Sequence, residues 1–111
     1  MSSDEVIKVM LAARADSTYT RYLGYWVKFG RFCAERGLDP WSVGIDPILT
    51  FIEVNRRAKD WAFSTVKVCV AAITFFRGRI DGCTVFTHEF MSDYLTGVKK
   101  LSSSAVERAQ T

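Results

Sequence analysis

The sequence predicts an all-α protein, a compact orthogonal bundle of four or five helices. Apolar residues recur at spacings of three and four along most of its 111 residues. Capping residues and Gly or Pro breaks fall between those stripes. Few segments alternate with period two, and the one β-looking stretch, residues 83–86, is short. Apolar residues make up 49% and charged residues 24%, with three Trp, eight Phe and four Tyr, enough bulk for one core without a disulfide or metal staple.

The first segment, residues 3–13, places Val6, Ile7, Met10 and Leu11 at helical spacing behind Ser3, Asp4 and Glu5. The second runs between Ser17, a good N-cap, and Gly37, a good stop. Its stripe is Tyr19, Tyr22, Leu23, Trp26, Phe29, Gly30 and Cys33. The third opens at Asp46-Pro47 and carries Ile48, Leu49, Phe51, Ile52 and Val54. Arg56, Arg57 and Lys59 then favour its C-terminal dipole.

The fourth opens at Ser64, runs to about Ile80 with Val66, Cys69, Val70, Ile73, Phe76 and Ile80 inward, and ends at the Asp81-Gly82 turn. The fifth opens at Thr87, with Phe90, Tyr94, Leu95, Val98 and Leu101 inward and Lys99 and Lys100 in its last turn. The helical domain is thus residues 1–101, and Ser102, Ser103 and Ser104 begin a polar linker over 102–111.

Composition excludes several classes of function. No apolar run approaches the roughly 20 residues of a membrane span; residues 66–76 are interrupted by Lys67 and Thr74. An acidic start at Asp4 and Glu5, then Lys8, does not make a secretory signal. The cysteines, Cys33, Cys69 and Cys83, are odd in number and form no CxxC pair, so no zinc site is expected and the compartment is expected to be reducing. His88 has no Cys or carboxylate cluster around it and reads as a surface or capping residue. No phosphate-binding glycine loop, HExxH, GxSxG or carboxylate pair is present, so no enzyme site and no cofactor are expected.

The net charge of +3 decides little by itself; its placement matters more. On the second helix Thr20, Arg21, Gly24, Lys28 and Arg31 share a face without acidic residues. Gly24 costs about 1 kcal/mol against Ala inside a helix, and glycine there often admits a neighbouring backbone. On the fourth, Ser64, Thr65, Lys67, Val68, Ala71 and Thr74 make a small, mildly basic face. Small residues let a helix enter a groove, and hydroxyls with free amides at a helix start suit phosphate. The same small residues also suit packing against another helix, which is the commoner reason for such a face. Lys99 and Lys100, like Arg56 and Arg57, are commonly dipole-compensating surface cations.

The run Ser17-Thr18-Tyr19-Thr20-Arg21-Tyr22, then Trp26, Phe29, Phe32-Cys33 and Gly37, resembles the opening helix of the core-binding domain of tyrosine recombinases, the phage-integrase family. Ser64-Thr65-Val66, with Ala72-Ile73-Thr74-Phe75-Phe76 and Gly82, resembles the family's second DNA-reading helix. Leu95-Thr96-Gly97-Val98-Lys99-Lys100 looks like that domain's ending. The Ala-Ile-Thr and Leu-x-Gly features are most similar to recombinases of eukaryotic mobile elements and large viruses.

The resemblance covers residues 17–101. It implies a SAM-like bundle whose two matching helices dock in adjacent major grooves of double-stranded DNA. Carried over residue by residue, Thr20, Arg21, Gly24 and Lys28 face DNA from the first helix, and Ser64, Thr65, Lys67 and Ala71 from the second. Lys99 and Lys100 are added from the domain's basic ending. The family's catalytic arginines, lysine, histidine and nucleophilic tyrosine belong to a separate C-terminal domain, which residues 1–111 do not match. The expectation is a non-catalytic, intracellular DNA-binding domain, in cytoplasm or nucleus according to its source. It is monomeric alone, whereas such recombinases act as tetramers on DNA. The alternative is a helical protein-interaction module.

Overall fold

The computed structural model describes Glu5, Val6 and residues 17–110; of the first expected helix, only Glu5 and Val6 fall among the described residues, and both are helical. Four further helices follow: α1 (Ser17–Glu35), α2 (Ile45–Lys59), α3 (Phe63–Arg77) and α4 (Glu89–Gln110). A minimal hairpin, β1 (Arg79–Ile80) with β2 (Cys83–Thr84), joins the last two. The molecule is a compact, mostly helical globule.

Helix α1 buries Trp26, Phe29 and Cys33, while Leu23, expected inside, stays 39% exposed because the buried stripe is narrower than the sequence suggests. Gly37 ends the helix as expected. With φ at +68°, it lets the Leu38 N–H reach the Cys33 carbonyl (2.8 Å) and its own N–H reach that of Ala34 (3.2 Å).

Helix α2 begins at Ile45 with Gly44 as its cap, ahead of the expected Asp46-Pro47. Burying Ile45 accounts for the extra residues, and Pro47 is tolerated because first-turn amides need no intrahelical acceptor. Ile48, Phe51 and Ile52 are buried; Val54, about 200° round the helix from Ile52, points outward.

Helix α3 begins at Phe63 after an Ala62 cap, so Ser64 and Thr65 are its second and third residues. It stops at Arg77, not Ile80. Gly78 takes φ +80°, and Asp81-Gly82, at φ +54° and +79°, form a two-residue hairpin turn. That turn pairs Arg79 with Thr84 and Ile80 with Cys83, a strand pair the periodicity did not predict. Ile80 still reaches the core, now from the hairpin.

Helix α4 starts at Glu89, two residues after Thr87. His88 caps it: its Nδ1 accepts the Phe90 N–H (3.2 Å), and its carbonyl accepts the Ser92 N–H (2.8 Å). His88 is itself buried, so it caps without lying on the surface. The inward face is Met91, Leu95 and Val98; Phe90 and Leu101 are 54% and 61% exposed. The helix continues through Ser102 to Gln110, which leaves Lys99 and Lys100 at mid-helix, away from the terminal dipole.

The core gathers Phe29, Ile48, Ile52, Val66, Val70, Ile73, Val85 and Met91. Its closest helix pair is α1 on α3, laced by Tyr19–Phe76 (6.4 Å between ring centroids), Tyr22–Phe75 (6.0 Å) and Trp26–Phe76 (5.2 Å). Arg77 secures the end of α3 by donating from Nε and Nη2 to the Val43 carbonyl at 3.0 and 2.8 Å. Helix α4 is tied to α2 where the Tyr94 hydroxyl donates to Glu53 (2.8 Å), whose carboxylate also accepts two bonds from Arg56 (2.7 Å each). No described helix is long and apolar enough to cross a membrane.

Candidate nucleic-acid interface

The aromatic lacing between α1 and α3 sets which sides remain open. With Tyr19, Tyr22 and Trp26 turned to α3, Thr20, Arg21, Gly24 and Lys28 lie exposed on α1. On α3, burial of Val66, Cys69, Val70 and Ile73 leaves Ser64 and Lys67 exposed and Thr65, Val68 and Ala71 half-buried.

The two open sides meet. Arg21 and Tyr25 from α1 face Ser64, Thr65 and Val68 from α3 across a concavity of about 340 Å³. A second, of about 250 Å³, is lined by Arg21, Gly24, Tyr25, Lys28 and Trp61. Arg21 and Tyr25 belong to both, so the concavities form one groove, and no lining residue is acidic. Among the described residues, no carboxylate forms an ion pair with Arg21, Lys28 or Lys59.

Gly24 proves not to serve packing within the fold. A Cβ built there would meet nothing within 4 Å, so the close backbone approach considered from the sequence does not occur. At the start of α3, Ala62 offers no side-chain cap, and the first bonded amide is that of Val66, to the Ala62 carbonyl (3.1 Å). The Phe63, Ser64 and Thr65 amides lie at the positive end of the helix dipole, where an anion is favoured.

The structure separates the remaining expected residues from this groove. Lys67 faces the other way, its Nζ 5.0 Å from the Phe63 ring centroid. It joins Lys99 in a distinct cleft of about 410 Å³ between α3 and α4, floored by Phe63 and Leu95 and edged by Phe86, Thr87, Ser92 and Thr96. Thr20, Ala71 and Lys100 line none of the three concavities. Thr20 and Lys100 are exposed, and Ala71 is half-buried.

Three residues not expected at the interface from the sequence, where Lys59 reads only as a cation at a helix end, take places in or beside the groove. Tyr25 forms its wall and stands edge-on to Trp61 at 5.6 Å. Burial, and then the neighbouring Cys69, push the Tyr25 phenol above its ordinary value against an opposing pull from Arg21. Trp61 follows Asp60, whose left-handed backbone turns the chain out of α2. Lys59 sets its Nζ 5.8 Å from the Trp61 ring centroid. The neighbouring Lys28, and then partial burial, hold Lys59 below the usual lysine range. An aromatic directly beyond a basic helix end was the available signal for Trp61.

No protein-family model, curated protein or solved structure matches the chain.

The groove presents cations, hydroxyls and amides. The Cys33 thiol is raised by burial and that of Cys69 is pushed up to about 12, which makes both poor nucleophiles. Among the described residues no His, Cys, Asp or Glu cluster could hold a metal.

Proposed function

We propose that the protein is an intracellular, non-catalytic DNA-binding domain of the tyrosine-recombinase core-binding type, using the α1–α3 groove against duplex DNA. The observation that carries this reading is the acid-free groove in which Arg21 of α1 faces Ser64 and Thr65 of α3 in one hollow and joins Lys28 in the next. Arginine and lysine neutralise phosphates, and the hydroxyls and α3 amides donate to phosphate oxygens. Gly24 leaves room for a sugar–phosphate backbone to approach α1. The domain acts as a monomer in solution.

Fluorescence anisotropy with a short duplex of arbitrary sequence tests this. Expected is a dissociation constant of about 10⁻⁵ M near physiological salt, with log K falling linearly against log salt. Arg21→Ala is expected to reduce the salt slope by about one. Lys67→Ala does the same only if the second cleft also meets a phosphate; an unchanged slope removes Lys67 from the interface. Absence of duplex binding at 50 mM salt would refute the reading.

A protein-docking reading draws on the Lys67–Lys99 cleft, whose apolar floor and exposed Phe86 suit a peptide. It predicts a binding activity lost in the double variant Lys67→Glu, Lys99→Glu and intact in Arg21→Ala.

A further inference from the structure

The open end of the groove holds a feature that helix packing does not require. Lys28 of α1 and Lys59 of α2 converge on the same small region beside Trp61. Arg21 lines the same concavity, about 250 Å³ in volume. Arg21 and Lys28 thus line one aromatic-walled hollow, and Lys59 reaches the Trp61 ring that forms its wall. Asp60, next in sequence to Lys59, forms no ion pair with it, and neither does any other described carboxylate.

Two ammoniums in proximity without a counter-charge repel each other. Both side chains are long and exposed, so each could turn away into water at little cost. Two features hold the end of α2, and with it the base of Lys59, against α1. The left-handed turn at Asp60 fixes the end of α2, its N–H and that of Trp61 both donating to the Arg56 carbonyl. The Tyr25–Trp61 edge contact pins that turn to α1. An anion placed between the ammoniums converts repulsion into two charge-assisted hydrogen bonds.

We propose that Lys28 and Lys59 form a seat for a single phosphate group against Trp61, while Arg21, further along the groove, meets a different one. The seat takes a tetrahedral oxyanion with several acceptor oxygens, and Trp61 closes the side that water would otherwise occupy. Its natural occupant rests on the DNA reading above: one phosphodiester of a duplex strand running along the groove, beyond the phosphates met at the start of α3. Lys59 thereby extends the interface from two helices to the end of a third.

Two measurements test the seat separately from the DNA reading. The first follows the lysine ammoniums by NMR titration of the reductively ¹³C-methylated protein, with inorganic phosphate as the probe. Phosphate is expected to raise the titration midpoints of Lys28 and Lys59 by about half a unit or more, and to leave Arg57→Gln protein behaving as wild type. In Lys28→Gln protein the phosphate response of Lys59 is expected to fall at least threefold.

The second measures salt slopes on the duplex. If the two lysines share one phosphate, the double variant Lys28→Gln, Lys59→Gln reduces the slope by about 0.9, whereas separate phosphates give about 1.8. A reduction near 1.8, or none, overturns the shared seat even where the Arg21→Ala result upholds DNA binding. Lysine midpoints unmoved by phosphate also overturn it. A phosphate response without duplex binding keeps the seat and removes the DNA reading.

Discussion

Two cations on α2, less than one turn apart, are treated in opposite ways. Arg56 lies flat against the Glu53 carboxylate, with two bonds of 2.7 Å, and Tyr94 of α4 completes the cluster. Its charge is answered within the fold, and Glu53 holds the guanidinium above its ordinary value. Lys59 has Lys28, another cation, as its neighbour and is held below its ordinary value. The lesson is that charge composition does not assign a role to a basic residue. The groups facing it do, and these depend on which helix is packed alongside.

The comparison breaks most visibly in stability. Glu53→Ala is expected to lower the unfolding free energy by about 1–2 kcal/mol in urea titration. It removes the acceptor of both Arg56 and Tyr94, and the partial exposure of Glu53 discounts the loss. Lys59→Gln is expected to change stability by no more than about 0.5 kcal/mol. Equal losses in the two variants would erase the distinction between the clusters.

Acid sharpens it next. The Arg56 hydrogen bonds, opposed by burial and aided by Tyr94, hold the Glu53 carboxyl below its reference value of 4.5. A carboxyl depressed in the folded state supplies stability that is complete above the unfolded value. That stability is lost as pH falls from about 4.5 through the folded value. Thermal melts between pH 6 and pH 2.5 are expected to show a steeper acid loss in wild type than in Glu53→Gln.

The smallest effect concerns Lys59. Its depressed value means that folding disfavours the charged form, so stability rises slightly as pH increases through the folded value toward 10.5. Lys28→Gln is expected to abolish that rise, which solvent screening keeps below about 0.5 kcal/mol. The Lys59 midpoint should move back toward 10.5. An unmoved midpoint would show that the ammoniums do not meet.

The sequence was informative where one helix decides the outcome. Ser17 and Gly37 bracket α1 because the start and the glycine turn are local matters. The exposed row Thr20, Arg21, Gly24 and Lys28 follows from the same period. Elsewhere two local signals competed. Helical spacing carried α3 on to Ile80, but Gly78 and Asp81-Gly82 made a hairpin. In α4, Phe90 and Leu101 fitted the stripe as well as Met91 did, and only packing on α2 and α3 chose Met91. Lys67 shares a helix with Ser64 and Thr65 yet opens on the opposite cleft. Trp61 lines the groove, and Lys59 stands beside it, through tertiary packing across more than thirty positions from Lys28, beyond the reach of periodicity.

The rings of Tyr19, Tyr22 and Trp26 locked against Phe75 and Phe76 have a mechanical consequence. Interlocked rings resist sliding, so the two rods they join act as the fixed jaws of a calliper. If the groove binds duplex DNA as proposed, the duplex must match the gap by its width and curvature. Trimming Phe76 to Leu would slacken the gauge and blunt discrimination between wide and narrow targets before it weakened the grip on either.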